Sequence, residues 1–199
     1  ILEAWFPGES GGEAVAKTLF GEYNPGGKLP VTFPKTVGQL EYNFPFKPGS
    51  QARQSTSSNF PHHTRVDGVL YPFGYGLSYT SFAFSNLEIS PEKQGPEGTV
   101  TVSCEVQNTG DRQGDEVVQL YLSDLVSSVT TYESDLRGFE RVSLQAGEMK
   151  KVIFTLHPDD MSLLDKNMNE VVEPGEFEVR VGSSSQDIRL KGRFQIEAR

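Results

Sequence analysis

Residues 100–106 are Val-Thr-Val-Ser-Cys-Glu-Val, a regular alternation of apolar and polar side chains. A period of two predicts a β-strand with one buried face, because successive side chains of a strand point to opposite sides. Cys104 falls on the same face as the valines, so we interpret it as a small buried side chain. The sequence has no second cysteine, and an internal disulfide is therefore impossible.

Six further segments show the same period. They place apolar side chains at Phe82, Phe84, Leu87 and Ile89, at Val118, Leu120 and Leu122, within 136–144, at Val152, Phe154 and Leu156, at Phe177, Val179 and Val181, and at Ile188, Leu190, Phe194 and Ile196. Turn sequences such as Glu173-Pro174-Gly175 separate these segments. Residues 79–199 are thus predicted to form a mainly β, seven-stranded, antiparallel sandwich of the immunoglobulin or fibronectin-III-like class.

Residues 1–35 have a different character. A helix is predicted over 9–21, where Ser10 and Glu13 have the spacing of a capping box and Gly21 is a plausible end. Its apolar face is expected to contain Ala14, Val15, Thr18 and Leu19. Residues 29–34 are predicted to be extended, as an edge or isolated strand with a proline at each end.

One helix and one short strand cannot enclose a core, so we interpret residues 1–35 as the last unit of a larger domain. The apolar residues Ile1, Leu2, Trp5 and Phe6 are expected to face the rest of that domain, and this end is expected to be poorly anchored without it. Residues 36–78 lack periodicity and are rich in Pro, Gly, Ser, Gln and Asn, which predicts a linker and long loop. Mobility is expected around residues 48–66.

The overall charge limits the partners. There are 27 acidic and 18 basic residues, giving a formal net charge of −9, which repels nucleic acid and anionic membrane surfaces. No stretch of 18 apolar residues occurs, so no membrane insertion is predicted. A neutral ligand such as a sugar is compatible with this charge.

Several motifs, in this order along the chain, resemble glycoside hydrolase family 3 β-glucosidases. Residues 4–12 and 19–30 resemble the end of the α/β sandwich domain of that family, and residues 70–79 resemble the junction that follows it. Residues 136–142 and 173–177 resemble the fibronectin-III-like domain at the C-terminal end of these enzymes. The resemblance makes residues 1–35 an α/β remnant. It also favours a periplasmic or secreted location, since the similarity is to bacterial members of that kind.

The resemblance implies retaining hydrolysis by two carboxylates. The family nucleophile is an Asp of an N-terminal barrel in a Ser-Asp context, and the acid/base Glu belongs to an earlier part of the α/β sandwich domain. Both are expected upstream of Ile1, so no catalytic residue is predicted in this chain. Its Ser-Asp pairs, Ser123-Asp124 and Ser134-Asp135, do not match that context.

Three carboxylates near residues 161–164 suggest acid–base or cation chemistry: Asp159, Asp160 and Asp165. We favour a structural interpretation, in which Asp159 or Asp160 caps a short helical turn between strands. The adjacent His62 and His63 point to opposite sides of an extended chain and do not easily share a metal. With His157 as the third histidine, no metal site and no cofactor are predicted.

Exposed aromatic rings can stack on sugars, or pack two surfaces together where they lie beside Gly and Pro. We favour domain packing for the candidates, with residues 71–79 holding the sandwich against the α/β remnant. The candidates are Trp5, Phe6, Tyr71, Phe73, Tyr75 and Tyr79. For Glu9, Glu13 and Glu22 we expect helix capping and a solvated face, and for Arg137 and Arg141 outward side chains with acidic neighbours.

The leading hypothesis is a non-catalytic C-terminal portion of a retaining β-glycosidase, serving structural support and domain packing beside the preceding catalytic domains of the same chain. The carbohydrate substrate would bind through the parent enzyme. A carbohydrate-binding or adhesion module is the alternative, since fold alone does not decide function. A third hypothesis makes residues 44–69 an active-site wall or dimer contact in the full enzyme.

Overall fold

The structure is a computed structural model, and it describes residues 1–39, 43–48 and 68–198. In chain order the elements are α1 (Gly11–Leu19), β1 (Phe82–Ser90), β2 (Lys93–Gln94), β3 (Val100–Asn108), β4 (Gly114–Asp124), β5 (Asp135–Leu144), β6 (Met149–Leu156), α2 (Pro158–Met161), β7 (Leu163–Leu164), β8 (Glu170–Val171), β9 (Gly175–Gly182) and β10 (Ile188–Ile196). The seven long strands coincide with the seven that the alternation predicts. The two-residue strands β2, β7 and β8 are additional.

The strands form two main sheets. The smaller has the order β1-β3-β6 and the larger β2-β10-β9-β4-β5, while β7 and β8 form a separate pair. All pairings are antiparallel except that of β2 with β10. This architecture confirms the predicted mainly β, fibronectin-III-like sandwich, preceded by a small helical part.

The core lies between the two sheets and consists of the side chains that the alternation turns inward. Val102 on β3, Leu120 on β4 and Val179 on β9 are completely buried, and each contributes roughly 1.5–3 kcal/mol relative to an exposed position. Cys104 is also buried, which confirms its interpretation as a small apolar side chain. Burial raises the pKa of its thiol to about 11, so the thiol is neutral and unreactive at pH 7.

Strand β4 differs from the others because it is buried on both faces. Residues 118–123 are all buried, although only alternate side chains can point into the core. Segments outside the sandwich must therefore cover the outer face of β4, and these segments define the candidate site described below.

The N-terminal helix departs from the sequence prediction. Ser10 precedes α1 but makes no side-chain capping hydrogen bond, so the predicted capping box with Glu13 is wrong. The backbone of Ser10 (φ −85°, ψ 10°) is not in the extended conformation from which a serine hydroxyl normally caps a helix. The helix ends near Gly21 as predicted, where φ is +79° and the Glu22 N–H donates to the Lys17 carbonyl (2.9 Å).

The predicted strand at 29–34 is reduced to one β-bridge, between Phe33 and Tyr71. Of the predicted linker, 36–39, 43–48 and 68–78 are among the described residues. The predicted mobility at 48–66 and the pair His62 and His63 lie outside them, apart from residue 48. The division into 1–35, 36–78 and 79–199 stays a prediction.

Candidate functional site, the linker interface

The outer face of β4 is covered by residues 43–48 and 68–78, and we call this contact, together with the packing of residues 18–33 around it, the linker interface. Gln119 lies at its centre and is almost completely buried. Its Nε2 donates to the carbonyl of Gly74 (3.1 Å) and to that of Ser183 (2.8 Å), while its Oε1 accepts from the Tyr121 hydroxyl. A buried amide with donors and acceptor all engaged fixes the position of the linker on the sheet.

Aromatic packing extends this contact. The ring of Tyr121 meets Phe44 edge to face at a centroid distance of 5.4 Å, and Phe44 stacks on Phe73 at 4.9 Å. The carbonyl of Phe73 accepts from the Ser185 N–H in the β9–β10 turn (3.0 Å). Burial raises the pKa of Tyr121, which keeps its hydroxyl protonated as a donor.

Two glycines permit the close approach of the linker. Gly74 has φ +80°, and a Cβ there would lie 2.1 Å from the Oε1 of Gln119. A Cβ at Gly76 would lie 2.3 Å from the carbonyl oxygen of Gly27. Any larger residue at either position would therefore separate the two surfaces.

Residues 29–33 run antiparallel to residues 71–75. The Leu29 N–H donates to the Tyr75 carbonyl, the Gly74 N–H to the Leu29 carbonyl and the Phe33 N–H to the Tyr71 carbonyl, each at 2.8 Å. The ring of Tyr71 stacks on Tyr75 at 5.1 Å and contacts Phe33 at 6.1 Å. Tyr71 and Tyr75 therefore pack on the N-terminal segment, as the packing interpretation of these aromatic residues predicts.

Asn24 joins three parts of the interface through its side chain. Its Nδ2 donates to the Gln113 carbonyl (3.0 Å), and its Oδ1 accepts from the Ser78 hydroxyl (2.9 Å) and the Tyr79 N–H (2.7 Å). The Tyr79 hydroxyl in turn donates to the carbonyl of Thr18 at the end of α1 (2.8 Å). The helix is thereby fastened to the β3–β4 turn.

A shielded ion pair lies in the same linker interface as Asn24. Lys28 Nζ is 2.8 Å from Glu116 Oε1, and their side chains are only 12% and 7% exposed. Lys28 also donates to the Gly76 carbonyl (3.2 Å). A pair buried to this extent is costly to break, since the remaining charge would be left without compensation.

A second ion pair lies on the outer face, where Arg141 Nε donates to Asp115 (2.9 Å) and its Nη2 donates to the Tyr23 hydroxyl (3.2 Å). Burial alone would raise the pKa of Asp115, but hydrogen bonds from Ser143 and Arg141 hold it below its usual value. Arg137 is paired more loosely, with Asp135 at 3.4 Å. Both arginines therefore have the acidic neighbours that were predicted.

The N-terminal end carries exposed apolar residues in spite of these contacts. Phe6 is 100% exposed and Phe20 is 85% exposed, and Trp5 contacts Phe33 edge to face but remains half exposed. Ile1 and Leu19 are exposed as well. Residues 18–33 are thus fastened to the sandwich, while residues 1–6 and one side of α1 face solvent.

The acidic candidates have structural roles. Asp160 accepts from the His157 N–H (2.8 Å) at the start of α2, which confirms the capping interpretation. Asp165 accepts from the N–H groups of Asn167 (2.7 Å) and Asn169 (2.9 Å) in a turn. Within the described ranges, no group of three His, Cys, Asp or Glu side chains is placed to hold a metal ion.

The N-terminal glutamates lie on a solvated surface. Glu9, Glu13 and Glu22 are all exposed, and Glu13 pairs with Lys17 one helical turn away (2.5 Å). An exposed pair of this kind contributes little to stability. The described part of the chain also has no helix long and apolar enough to span a membrane.

The structure brings together two further carboxylates that the sequence analysis considered only as Ser-Asp pairs. Asp124 and Asp135 line a cleft of about 370 Å³ at one end of the larger sheet, with Asp160 and the ring of Tyr132. The pairing of β4 with β5 places Asp135 opposite Leu122. Leu122 lies two residues before Asp124 on β4.

Sequence reasoning missed Asn24, Lys28, Glu116, Gln119 and Tyr121. The one local signal was the nearly continuous apolar run around residues 117–122, which is typical of a strand covered on both faces. The other contacts of these residues join positions up to 89 apart, and no periodicity reports them.

These features define a class, a fibronectin-III-like sandwich with a preceding segment packed on its outer face. Residues 1–79 match the glycosyl hydrolase family 3 C-terminal domain, and residues 116–185 match the fibronectin type III-like domain. The chain therefore belongs to glycoside hydrolase family 3 and corresponds to the C-terminal part of proteins in that family.

Individual relatives support this family assignment. The chain is 40% identical over 203 residues to a periplasmic β-glucosidase of Salmonella typhimurium, covering 98% of this chain and 26% of the relative. It is 42% identical over 191 residues to a β-xylosidase of Formosa agariphila, covering 96% and 26%. A solved β-glucosidase structure from Erythrobacter marinus superposes with a TM-score of 0.89 at 40% identity, covering 98% of this chain and 25% of that one. The chain thus spans about a quarter of the length of these relatives.

Proposed function

We propose that the parent protein is a retaining β-glycosidase that removes terminal β-linked sugars from oligosaccharides or glycosides, and that this chain is its non-catalytic C-terminal portion. The names of the relatives, β-glucosidases and β-xylosidases, support the activity. The observation that supports the structural role is the linker interface, which holds a segment with exposed apolar residues on the outer face of the sandwich.

The exposed apolar surface indicates what the segment is held for. Phe6, which precedes α1, and Phe20, which follows it, are almost fully exposed. Covering such rings contributes roughly 1.5–3 kcal/mol for each side chain. The preceding catalytic domains of the same chain are the proposed cover, so the sandwich braces those domains through the linker interface.

Three of the acidic residues considered from the sequence have surroundings consistent with a non-catalytic role. Asp160 and Asp165 are engaged as acceptors in a cap and a turn, and Glu13 lies on an exposed surface. The nucleophile and the acid/base group are proposed to lie upstream of Ile1, where the family resemblance places them. A periplasmic or secreted location is part of the proposal and is supported by the name of the Salmonella relative.

An activity assay tests the assignment. The 199-residue chain, incubated with aryl β-glucosides and aryl β-xylosides, should show no hydrolysis above buffer, while the full parent enzyme should be active. Robust turnover by the chain alone, abolished by Asp124→Asn or Asp135→Asn, would place the chemistry in the cleft and contradict the proposal.

A further inference from the structure

The cleft at the end of the larger sheet has the construction of a small-molecule site. Its floor consists of the buried side chains Leu122, Met161 and Phe177, contributed by β4, α2 and β9. Its volume of about 370 Å³ lies within the roughly 300–1,000 Å³ of typical ligand sites, which combine apolar walls with a few polar groups. These three residues belong to the sandwich core, so the fold fixes the floor of the cleft.

Two half-buried carboxylates provide acceptors in this cleft. Asp124 accepts from the Val126 N–H at 3.2 Å through Oδ1, and Asp135 meets Arg137 at 3.4 Å through Oδ2. Among the described residues, the other oxygen of each carboxylate has no hydrogen bond. Burial raises the pKa of both groups, and repulsion from Glu173 adds to the effect at Asp124. A hydrogen-bond donor that enters the cleft would therefore stabilise the ionised form of both carboxylates.

An aromatic ring and two cations complete the walls. Tyr132 is 43% exposed, and Lys47 Nζ lies 5.6 Å from its ring centroid. Arg137 supplies guanidinium donors from β5. Carboxylate acceptors, cationic donors and an exposed ring therefore lie together in one cavity.

The mixture of charges selects the class of ligand. Three carboxylates and two cations line the cleft, so an anion is opposed by the carboxylates and by the net charge of −9. A metal ion needs converging ligands, and the described residues contain no such group. A purely apolar ligand would leave the carboxylates desolvated without donors. A neutral polyol with one apolar face satisfies the acceptors, the donors and the ring together.

We propose that this cleft binds a pyranose unit of a neutral saccharide, with Asp124 and Asp135 accepting from sugar hydroxyls and Tyr132 stacking on the ring. This role goes beyond bracing and involves no bond cleavage. It concerns binding by the 199-residue chain alone, so its failure would leave the proposed bracing function unchanged.

The test is a titration of the 199-residue chain with cellobiose and xylobiose, followed by NMR chemical-shift perturbation or calorimetry. Asp124→Asn keeps the acceptor for Val126 but loses the charge, and it should weaken binding about tenfold. Tyr132→Ala should weaken binding roughly threefold to tenfold. The matched controls are Asp111→Asn and Phe139→Ala, since both residues are highly exposed and lie outside the cleft.

Three results would overturn the proposal. The first is absence of binding to either disaccharide. The second is binding that the cleft variants and the controls weaken equally. The third is Ca²⁺ binding that depends on Asp124 while the sugars remain inert, which would assign the carboxylates to a cation. Thermal unfolding of each variant at a temperature no lower than that of the unchanged chain verifies that a loss of affinity is local.

Discussion

The forces that stabilise the sandwich differ from those that attach the N-terminal segment to it. Inside the sandwich, side chains such as Val102 and Phe177 are buried between two sheets, and apolar burial dominates. Residues 18–33 are attached through hydrogen bonds of Asn24, the Lys28 ion pair and a row of aromatic rings. The comparison teaches that the sandwich encloses its own apolar core, whereas several apolar residues of the attached segment remain exposed.

The largest effect should follow from opening the core. Phe177 is 1% exposed and Phe6 is 100% exposed. Phe177→Ala should lower the free energy of unfolding by about 4 kcal/mol, through lost burial and a cavity. Phe6→Ala should change it by less than about 0.5 kcal/mol. Urea denaturation measures both, and equal losses would show that the N-terminal end is packed in solution.

The shielded ion pair tests the attachment. Lys28→Met should lower the free energy of unfolding by about 3 kcal/mol, because Glu116 is left buried without its partner. The double variant Lys28→Met/Glu116→Leu should recover most of that loss. Lys17→Met, which removes the exposed pair with Glu13, serves as the matched control and should cost less than about 0.5 kcal/mol.

Asn24 should have a smaller and more local effect. Asn24→Ala removes one donor and one acceptor that together serve three partners, and a loss of about 2 kcal/mol is expected. Asn24→Asp keeps the acceptor and should lose about half as much. Amide hydrogen exchange should accelerate in α1 but not in β3, since only the attachment loosens. Uniform acceleration in both elements would contradict the separation of the two regions.

The smallest effects should have opposite signs at two carboxylates. The folded-state pKa of Asp115 is lowered, so its stabilisation is present above the unfolded pKa of about 3.9 and is lost as pH falls through the folded value. The pKa of Asp124 is raised, so its contribution is favourable below about 3.9 and is lost as pH rises through the folded value.

At pH 7, Asp115→Asn should therefore destabilise the chain and Asp124→Asn should stabilise it, each by less than about 1 kcal/mol. Both differences should shrink towards pH 3. Urea denaturation at pH 7 and pH 3 measures them, with Asp111→Asn as the exposed control. Shifts of the same sign at pH 7 would contradict the two environments.

The sequence predicted the structure of the sandwich better than it predicted the attachment of the N-terminal segment. The sandwich was predictable because the burial of Val102 or Val179 follows from a period of two within a single strand. The attachment depends on contacts such as Asn24 with Gln113, 89 positions apart, and local patterns carry no such information. The capping box failed at Ser10 because spacing specifies which residues can cap a helix, while the backbone angles decide whether they do.

The candidate sites were predictable to a similar extent. The aromatic residues from 71 to 79 were predicted to be packing residues because they alternate with Gly and Pro. Gln119 was missed because a polar residue in an alternating strand is expected to face water, and here a second layer of chain covers it. Asp124 and Asp135 became a candidate site only when the register of β4 and β5 placed them at one cleft.

The edges of the larger sheet affect the tendency of the protein to aggregate at high concentration. One edge is occupied by the short β2, and the other is β5, where Arg137, Glu140 and Arg141 are exposed. The free N–H and C=O groups of an edge strand are a template for pairing with a second chain, and charged side chains make the required dehydration unfavourable. Concentrated solutions of the chain should therefore resist fibre formation, and neutralising these three charges is the change that would expose it to strand-by-strand polymerisation.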